Sequence, residues 1–198
     1  MGEDIQITAE PTTNPAVCKL VVDRPVYADS SAWFSDVEKA KASPLAEAIL
    51  SIEGMEAVLI SHDTLTLTKK GDEPWQVLAR TAAMAVRDHL RSGQPAVSDS
   101  YTESLPPSTE IMVKVQELFD QKLNPALASH GGLVELLDVQ GNNIFIKMGG
   151  GCQGCGMADV TLKQGIETMV REEIPAVGGI FDTTDHAAGR NPYYAPSK

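Results

Sequence analysis

Cys152 and Cys155 stand two residues apart in the stretch MGGGCQGCGMADVTLKQGIE, Met148 to Glu167, directly behind a run of glycines. Such a pair has three chemical uses: a redox disulfide, half of a zinc site, or half of an iron–sulfur site. A helix is expected to start just after the second cysteine. Its first backbone N–H groups would be unpaired, and its dipole positive there. Both features favour thiolate, which is the nucleophilic and the metal-binding form of cysteine alike. Gly149, Gly150, Gly151, Gly154 and Gly156 let the backbone approach a bulky group closely.

The chain has only three cysteines, and Cys18 is remote in sequence from the pair. A structural zinc site takes four protein ligands, and an iron–sulfur cluster typically takes four thiolates. His130 is the one histidine expected within reach. The missing ligands can come from a second copy related by a two-fold axis, which repeats the same pair. Thiolate ligands suit zinc and iron–sulfur clusters equally. A thioredoxin-like dithiol would need a βαβ setting, whereas an antiparallel hairpin is expected before Cys152.

The elements that must position the pair follow from periodicity. LVELLDV and NIFIKM, joined through Gln140-Gly141-Asn142, read as the hairpin. Before it, Ile111, Val115 and Leu118 share one face of a helix capped by Ser108 or Thr109. After the cysteines, Ala158, Leu162, Ile166, Met169 and Val170 mark a second helix that Pro175 ends, and GGIFDTT reads as an edge strand.

A separate unit precedes these elements. IQI and CKLVV read as short strands around the turn-rich EPTTNPA. Ser43-Pro44 reads as a cap and first turn of a helix through Leu50. AVLIS and TLTLT form a hairpin turning at His62-Asp63. Trp75, Leu78, Ala79, Ala82, Val86 and Leu90 recur at helical spacing after Pro74. Between the units, GQPAVSDSYTESLPP is rich in Pro, Ser and Gly and reads as a linker. The expected organisation is α+β throughout: a small domain over residues 1–92, a flexible linker over 93–107, a second small domain over 108–185, and a tail over 186–198.

Composition narrows the function classes. With 198 residues and 42% apolar content, two modest cores are affordable. A formal charge of −11 disfavours nonspecific nucleic-acid binding, which needs a basic footprint, and docking on an anionic membrane. No apolar run approaches the roughly 20 residues of a spanning helix. The acidic MGEDIQITAE carries no signal or transit pattern, and three cysteines make no disulfide framework. A soluble protein of a reducing compartment, the cytoplasm, is expected.

Residues Ser108 to Asp185 resemble the NifU C-terminal-domain (Nfu) family of iron–sulfur carriers through LNPALASHGGLVELLDV, GGGCQGCGMADVTLKQGIE and FDTTDH. The cysteine block and the trailing NPYY look especially like those of bacterial NfuA-type members. Residues 5 to about 92 resemble the Nfu N-terminal domain through TAEPTTNPAVCKL, RPVY, SPLAEAIL, IEGMEAVLIS and EPWQVL, which brings the whole architecture closer to mitochondrial-type Nfu. The resemblance implies a second domain with a three-stranded sheet and two helices. It also implies a non-enzymatic carrier whose protomers pair to share one [4Fe-4S] cluster through Cys152 and Cys155, taking it from upstream donors and giving it to apo client proteins. The rivals are a dimeric structural zinc protein and a thiol-disulfide oxidoreductase. Leu133 departs from the acidic or polar residue common after HGG in the family.

Other residues invite plainer readings. Cys18 on its strand is expected to be a small buried hydrophobe, His130 a turn residue, and Trp75 core. His186 and Tyr193-Tyr194 are expected in a solvated tail.

Overall fold

The computed structural model describes residues 4–129, 131–150 and 156–183, with the backbone alone at 29, 150 and 156–161. Two α+β units emerge, each with its own core.

The first is a five-stranded antiparallel sheet of β1 (Ile7–Pro11), β2 (Val17–Val22), β3 (Tyr27–Phe34), β4 (Met55–His62) and β5 (Thr64–Lys69), in the order β1-β2-β5-β4-β3. Alternation along β2 and β5 sends Cys18, Leu20, Val22, Leu65 and Leu67 to one face. There they pack against Leu45 and Ile49 of α1 (Pro44–Leu50) and against Leu78, Ala82 and Val86 of α2 (Trp75–Ser92). The Ser43 hydroxyl caps α1 by accepting from the Ala46 N–H, with Pro44 in the first turn. The hairpin between β4 and β5 turns at His62, whose φ of 50° is left-handed.

One boundary, one strand and one side chain differ from expectation. β1 begins only at Ile7, so IQI is mostly its approach. β3 was not foreseen: YADSSAWF carries three polar residues and a register shift between Tyr27 and Ser31 that breaks the period. Trp75 is half-buried rather than enclosed, because its indole N–H donates to the Pro15 carbonyl while Lys69 lies over the ring.

The second unit opens with α4 (Ser108–Leu118), preceded by Pro107 at the cap position rather than by a capping Ser or Thr side chain. The helix does not stop there. It widens into a π-turn, Phe119–Leu123, and continues as α5 (Asn124–Ala128). Pro125 has no N–H to offer Gln121, which accounts for the irregular turn and for more helical segments than the two expected. The sheet has the expected three strands. β6 (Gly132–Gln140) and β7 (Asn143–Gly150) form the antiparallel hairpin, and β8 (Ile180–Asp182) joins β7 in parallel at the edge. Ile166 and Val170 of α6 (Gly156–Glu173) meet Ile111, Val115, Ile144 and Ile146 in the core.

Residues 93–107 lie between the two units in the chain, but they are not bare chain. Ala96 and Val97 are buried in the first core, and the Ser98 N–H donates to the Ala42 carbonyl. A short helix follows, α3 (Asp99–Glu103), whose Tyr101 ring packs 5.6 Å from that of Phe34. Ala96, Val97 and Tyr101 bind this polar stretch to the core, too few to give a periodic signal.

Candidate functional site

The hairpin and α6 deliver the ends of the candidate site. The ladder of β6 and β7 runs to its last pair, Gly132 with Gly150, and α6 starts at Gly156. Cys152 and Cys155 belong to the connection between them and lie outside the described residues, as do His130, His186, Tyr193 and Tyr194. Among the described residues, no group of three or more His, Cys, Asp or Glu could hold a metal ion.

The rim of the connection is described. Met148 is buried in the core, and the following residue, Gly149, faces the other way, where a Cβ would meet nothing within 4 Å among the described residues. Its ladder partner Leu133 is 52% exposed on the same face. The strand end beside the cysteine segment thus carries one exposed apolar side chain, Leu133. At the base of the rim, the Asn124 side chain holds both backbone groups of Val134: its Oδ1 accepts from the N–H and its Nδ2 donates to the carbonyl.

Cys18 sits apart, in β2, 3% exposed. Burial pushes its thiol above the ordinary value, and Sγ donates weakly to the Glu10 carbonyl at 3.5 Å. It behaves as a buried hydrophobe, as expected. A second buried titratable group, His89 of α2, escaped the sequence reading. Burial holds its pKa below the ordinary 6.5, and its Nε2 has no hydrogen-bond partner among the described residues.

The polar cluster that sequence reasoning missed joins the two units. Asn142, in the β6–β7 turn and 1% exposed, accepts from the Ser31 N–H at 3.0 Å and donates to the Ser31 carbonyl at 2.7 Å. Beside it, the Arg171 guanidinium lies 4.5 Å over the Trp33 ring and donates to the carbonyls of Val177 and Gly178. Burial lowers the Arg171 pKa to about 10, opposed by the attraction of Glu167 one turn earlier, so it stays charged at neutral pH. Burial raises Glu167 and takes Tyr101 up to about 12, each opposed by Arg171. Gly178 fits because a Cβ there would fall 2.6 Å from the Ser31 carbonyl oxygen. The turn had shown only Asn142 as a turn former, and a lone Arg171 in a helix carries no signal of an aromatic partner.

This junction lies at the far end of the second unit from the cysteine segment. β7 runs from Asn143 beside the junction to Gly150 beside the cysteines, and α6 runs back from Gly156 past Arg171. The 18 residues of α6 span about 27 Å at the usual helical rise.

Two small α+β units, only the second carrying a cysteine pair in its sequence, define a two-module protein. The comparisons agree. The chain matches the NifU-like domain over residues 115–180 and the domain described as scaffold protein Nfu/NifU N terminal over residues 7–93. It is 33% identical over 190 residues to NifU-like protein 4, mitochondrial, of Arabidopsis thaliana, covering 90% of this chain and 67% of that protein. NifU-like protein 5, mitochondrial, of the same plant is 30% identical over 197 residues, covering 94% and 72%. The Fe/S biogenesis protein NfuA of Pseudomonas aeruginosa is 48% identical over 85 residues, covering 42% of this chain and 44% of that protein. The chain belongs to the NifU/Nfu family and carries both its N-terminal and its NifU-like domain.

Proposed function

We propose that the chain carries a [4Fe-4S] cluster as cargo between two protomers, each supplying Cys152 and Cys155, and hands it to apo-proteins. The observation that carries this reading is the pair of cysteines set between the end of β7 and the start of α6 in a chain of this family. Two thiolates per chain make half of a four-thiolate set, so a symmetric pair of chains completes it. A helix start beside the pair favours the thiolate form. Transfer to an acceptor is ligand exchange: acceptor thiolates replace these four at the cluster irons, with no net redox step. The exposed Leu133 side chain on the described rim suits an acceptor's approach.

The first unit would serve recognition. It docks at the end of the second unit remote from the cysteine segment, which leaves the cargo end to a partner protomer and an acceptor. A tethered recognition module raises the local concentration of cluster near its client.

Anaerobic reconstitution followed by iron and sulfide analysis, Mössbauer spectra and sedimentation tests the reading. The expected product is one four-iron cluster per dimer, lost in Cys152→Ala and in Cys155→Ala and kept in Cys18→Ala. Stoichiometric zinc with no cluster would replace the reading by a structural zinc site. A full cluster on a monomer would end the shared-site idea.

A further inference from the structure

The two edges of the first unit's sheet are treated differently. The β3 edge is occupied, since Asn142 pairs with Ser31 there. The β1 edge pairs only inward among the described residues, and Thr8 to Pro11 are exposed. The Asp23 N–H donates to the Gln6 carbonyl, so even-numbered residues of this strand bond toward β2. Ile7 and Ala9 therefore turn both backbone groups outward, and Pro11 its carbonyl.

The side chains of the same three residues border a groove of about 490 Å³ between β1 and α2, closed on the helix side by Ala79 and Ala83. That volume is in the range of small-ligand and peptide pockets. Cys18 and Leu20 lie at the floor. Arg87 at one end is engaged, its Nε donating to the Ile5 carbonyl. Arg80, at the middle of the lip, is exposed and has no partner among the described residues, in a chain of net charge −11. An apolar trough, a free hydrogen-bonding edge beside it and one unpaired guanidinium above it occur together.

We propose that this edge and groove bind an extended peptide segment of a partner protein. The segment pairs with Ile7 and Ala9 as a sixth strand, sets apolar side chains into the groove, and gives a carboxylate on the same face to Arg80. Strand addition supplies affinity through the main chain, and the groove selects alternate side chains. The carboxylate sets the sign of the partner, because a guanidinium binds it in a fork of two hydrogen bonds. A purely aliphatic ligand would leave both Arg80 and the free edge unused. The inference specifies the partner chemistry of the recognition role proposed above for the first unit, and its test involves no iron, so it fails or holds apart from the cluster.

The probe is a fluorescein-labelled peptide, Thr-Val-Thr-Glu-Thr-Val-Thr, in which the two valines and the glutamate share one face. With full-length protein it should bind saturably, shifting the amide resonances of Ile7 and Ala9. The same peptide with lysine for glutamate should bind about tenfold or more weaker, as loss of a charge-assisted bond implies. Arg80→Glu should weaken the glutamate peptide and strengthen the lysine peptide. Ala9→Pro removes one outward N–H that β2 does not use, and should weaken both peptides while leaving the circular dichroism intact. No saturable binding up to about 1 mM, or equal binding by Arg80→Glu, would overturn the proposal. Decanoate occupying the groove in place of the peptide would overturn it in favour of an acyl ligand. Concentration-dependent self-association abolished by Ala9→Pro would overturn it in favour of a second copy of the chain.

Discussion

Asn142 holds Ser31 as a neighbouring strand would, accepting from its N–H and donating to its carbonyl across 111 positions of sequence. The same Nδ2 also reaches the Ala176 carbonyl at 3.1 Å, and the Gly178 N–H returns a bond to the Asn142 carbonyl. One side chain in a turn thereby ties the edge of the first sheet to the loop behind α6.

Asn142→Ala should loosen this junction without unfolding either core. It strands buried backbone groups of Ser31, at about 1–3 kcal/mol for each buried group left unpaired. Hydrogen exchange at the Ser31 amide should accelerate strongly while the Leu65 and Ile144 amides keep their protection. Unchanged exchange at Ser31 would mean the bond contributes nothing in solution.

The Trp33–Arg171 stacking should show as a coupling in a double-mutant cycle. Trp33→Leu and Arg171→Gln together should be less costly than the sum of the two, by about 0.5–2 kcal/mol for a partly desolvated cation–π pair. Simple additivity in urea denaturation would deny the stacking an energetic role. Gly178→Ala should weaken the same junction, since its Cβ has no room beside Ser31.

His89 gives the first unit a pH dependence with a definite sign. Its folded pKa lies below the ordinary 6.5 because burial disfavours the charged ring. The stability it contributes is therefore fully present above pH 6.5 and lost as pH falls through the lowered folded value, where the unfolded chain binds the extra proton. Urea midpoints should fall between pH 7.5 and pH 5 in the parent and fall less in His89→Leu. Parallel decline in both would place the acid sensitivity elsewhere.

Cys18 should resist alkylation. Its thiol is buried and held above the ordinary value, so little thiolate is available to react. Mass spectrometry after iodoacetamide at pH 8 should find Cys18 unmodified in the native chain and modified in urea. Rapid native labelling of Cys18 would contradict the packing of β2 against α2.

Removal of the first unit should leave cluster binding intact. A fragment from Ser108 keeps a core of its own, built on Ile111, Val115, Phe119, Ile144, Ile166 and Val170. The junction it loses lies at the opposite end of α6 from the cysteine segment. The reconstituted fragment should match the full chain in spectrum and pair as it does, but deliver cluster to a client more slowly. Loss of the cluster itself would make the first unit part of the site.

Regular elements were legible from sequence where side chains alternate or recur cleanly. The hairpin turning at Gly141, the stripe of α2 and the Ser43-Pro44 start of α1 needed nothing beyond local pattern. β3 was invisible because its bulge and serines erase the period, and Ser31 is explained by partners far away: it donates its hydroxyl to Ser61 and its backbone N–H to Asn142. The segment 93–107 misled for a related reason. Its attachment rests on Ala96, Val97 and Tyr101, whose pockets are made by other parts of the chain. Of the candidate site, the sequence motifs told the family, while the spacing of Cys152 and Cys155 left three chemistries open; the junction told nothing in advance, since a stacking pair such as Trp33 and Arg171 is a property of assembled surfaces.

The long reach of Asn142 has a consequence for biosynthesis. The first sheet can form as soon as β5 leaves the ribosome, but the residue that closes its β3 edge is made more than 70 positions later. At about 5–20 residues per second, that edge stands open for roughly 4–15 seconds in every newborn chain. Only the bulge between Tyr27 and Ser31 shortens the run that a neighbouring nascent chain could pair with during that interval. A chain carrying Asn142→Ala would never close that window, and its yield on overexpression should suffer more than its melting temperature.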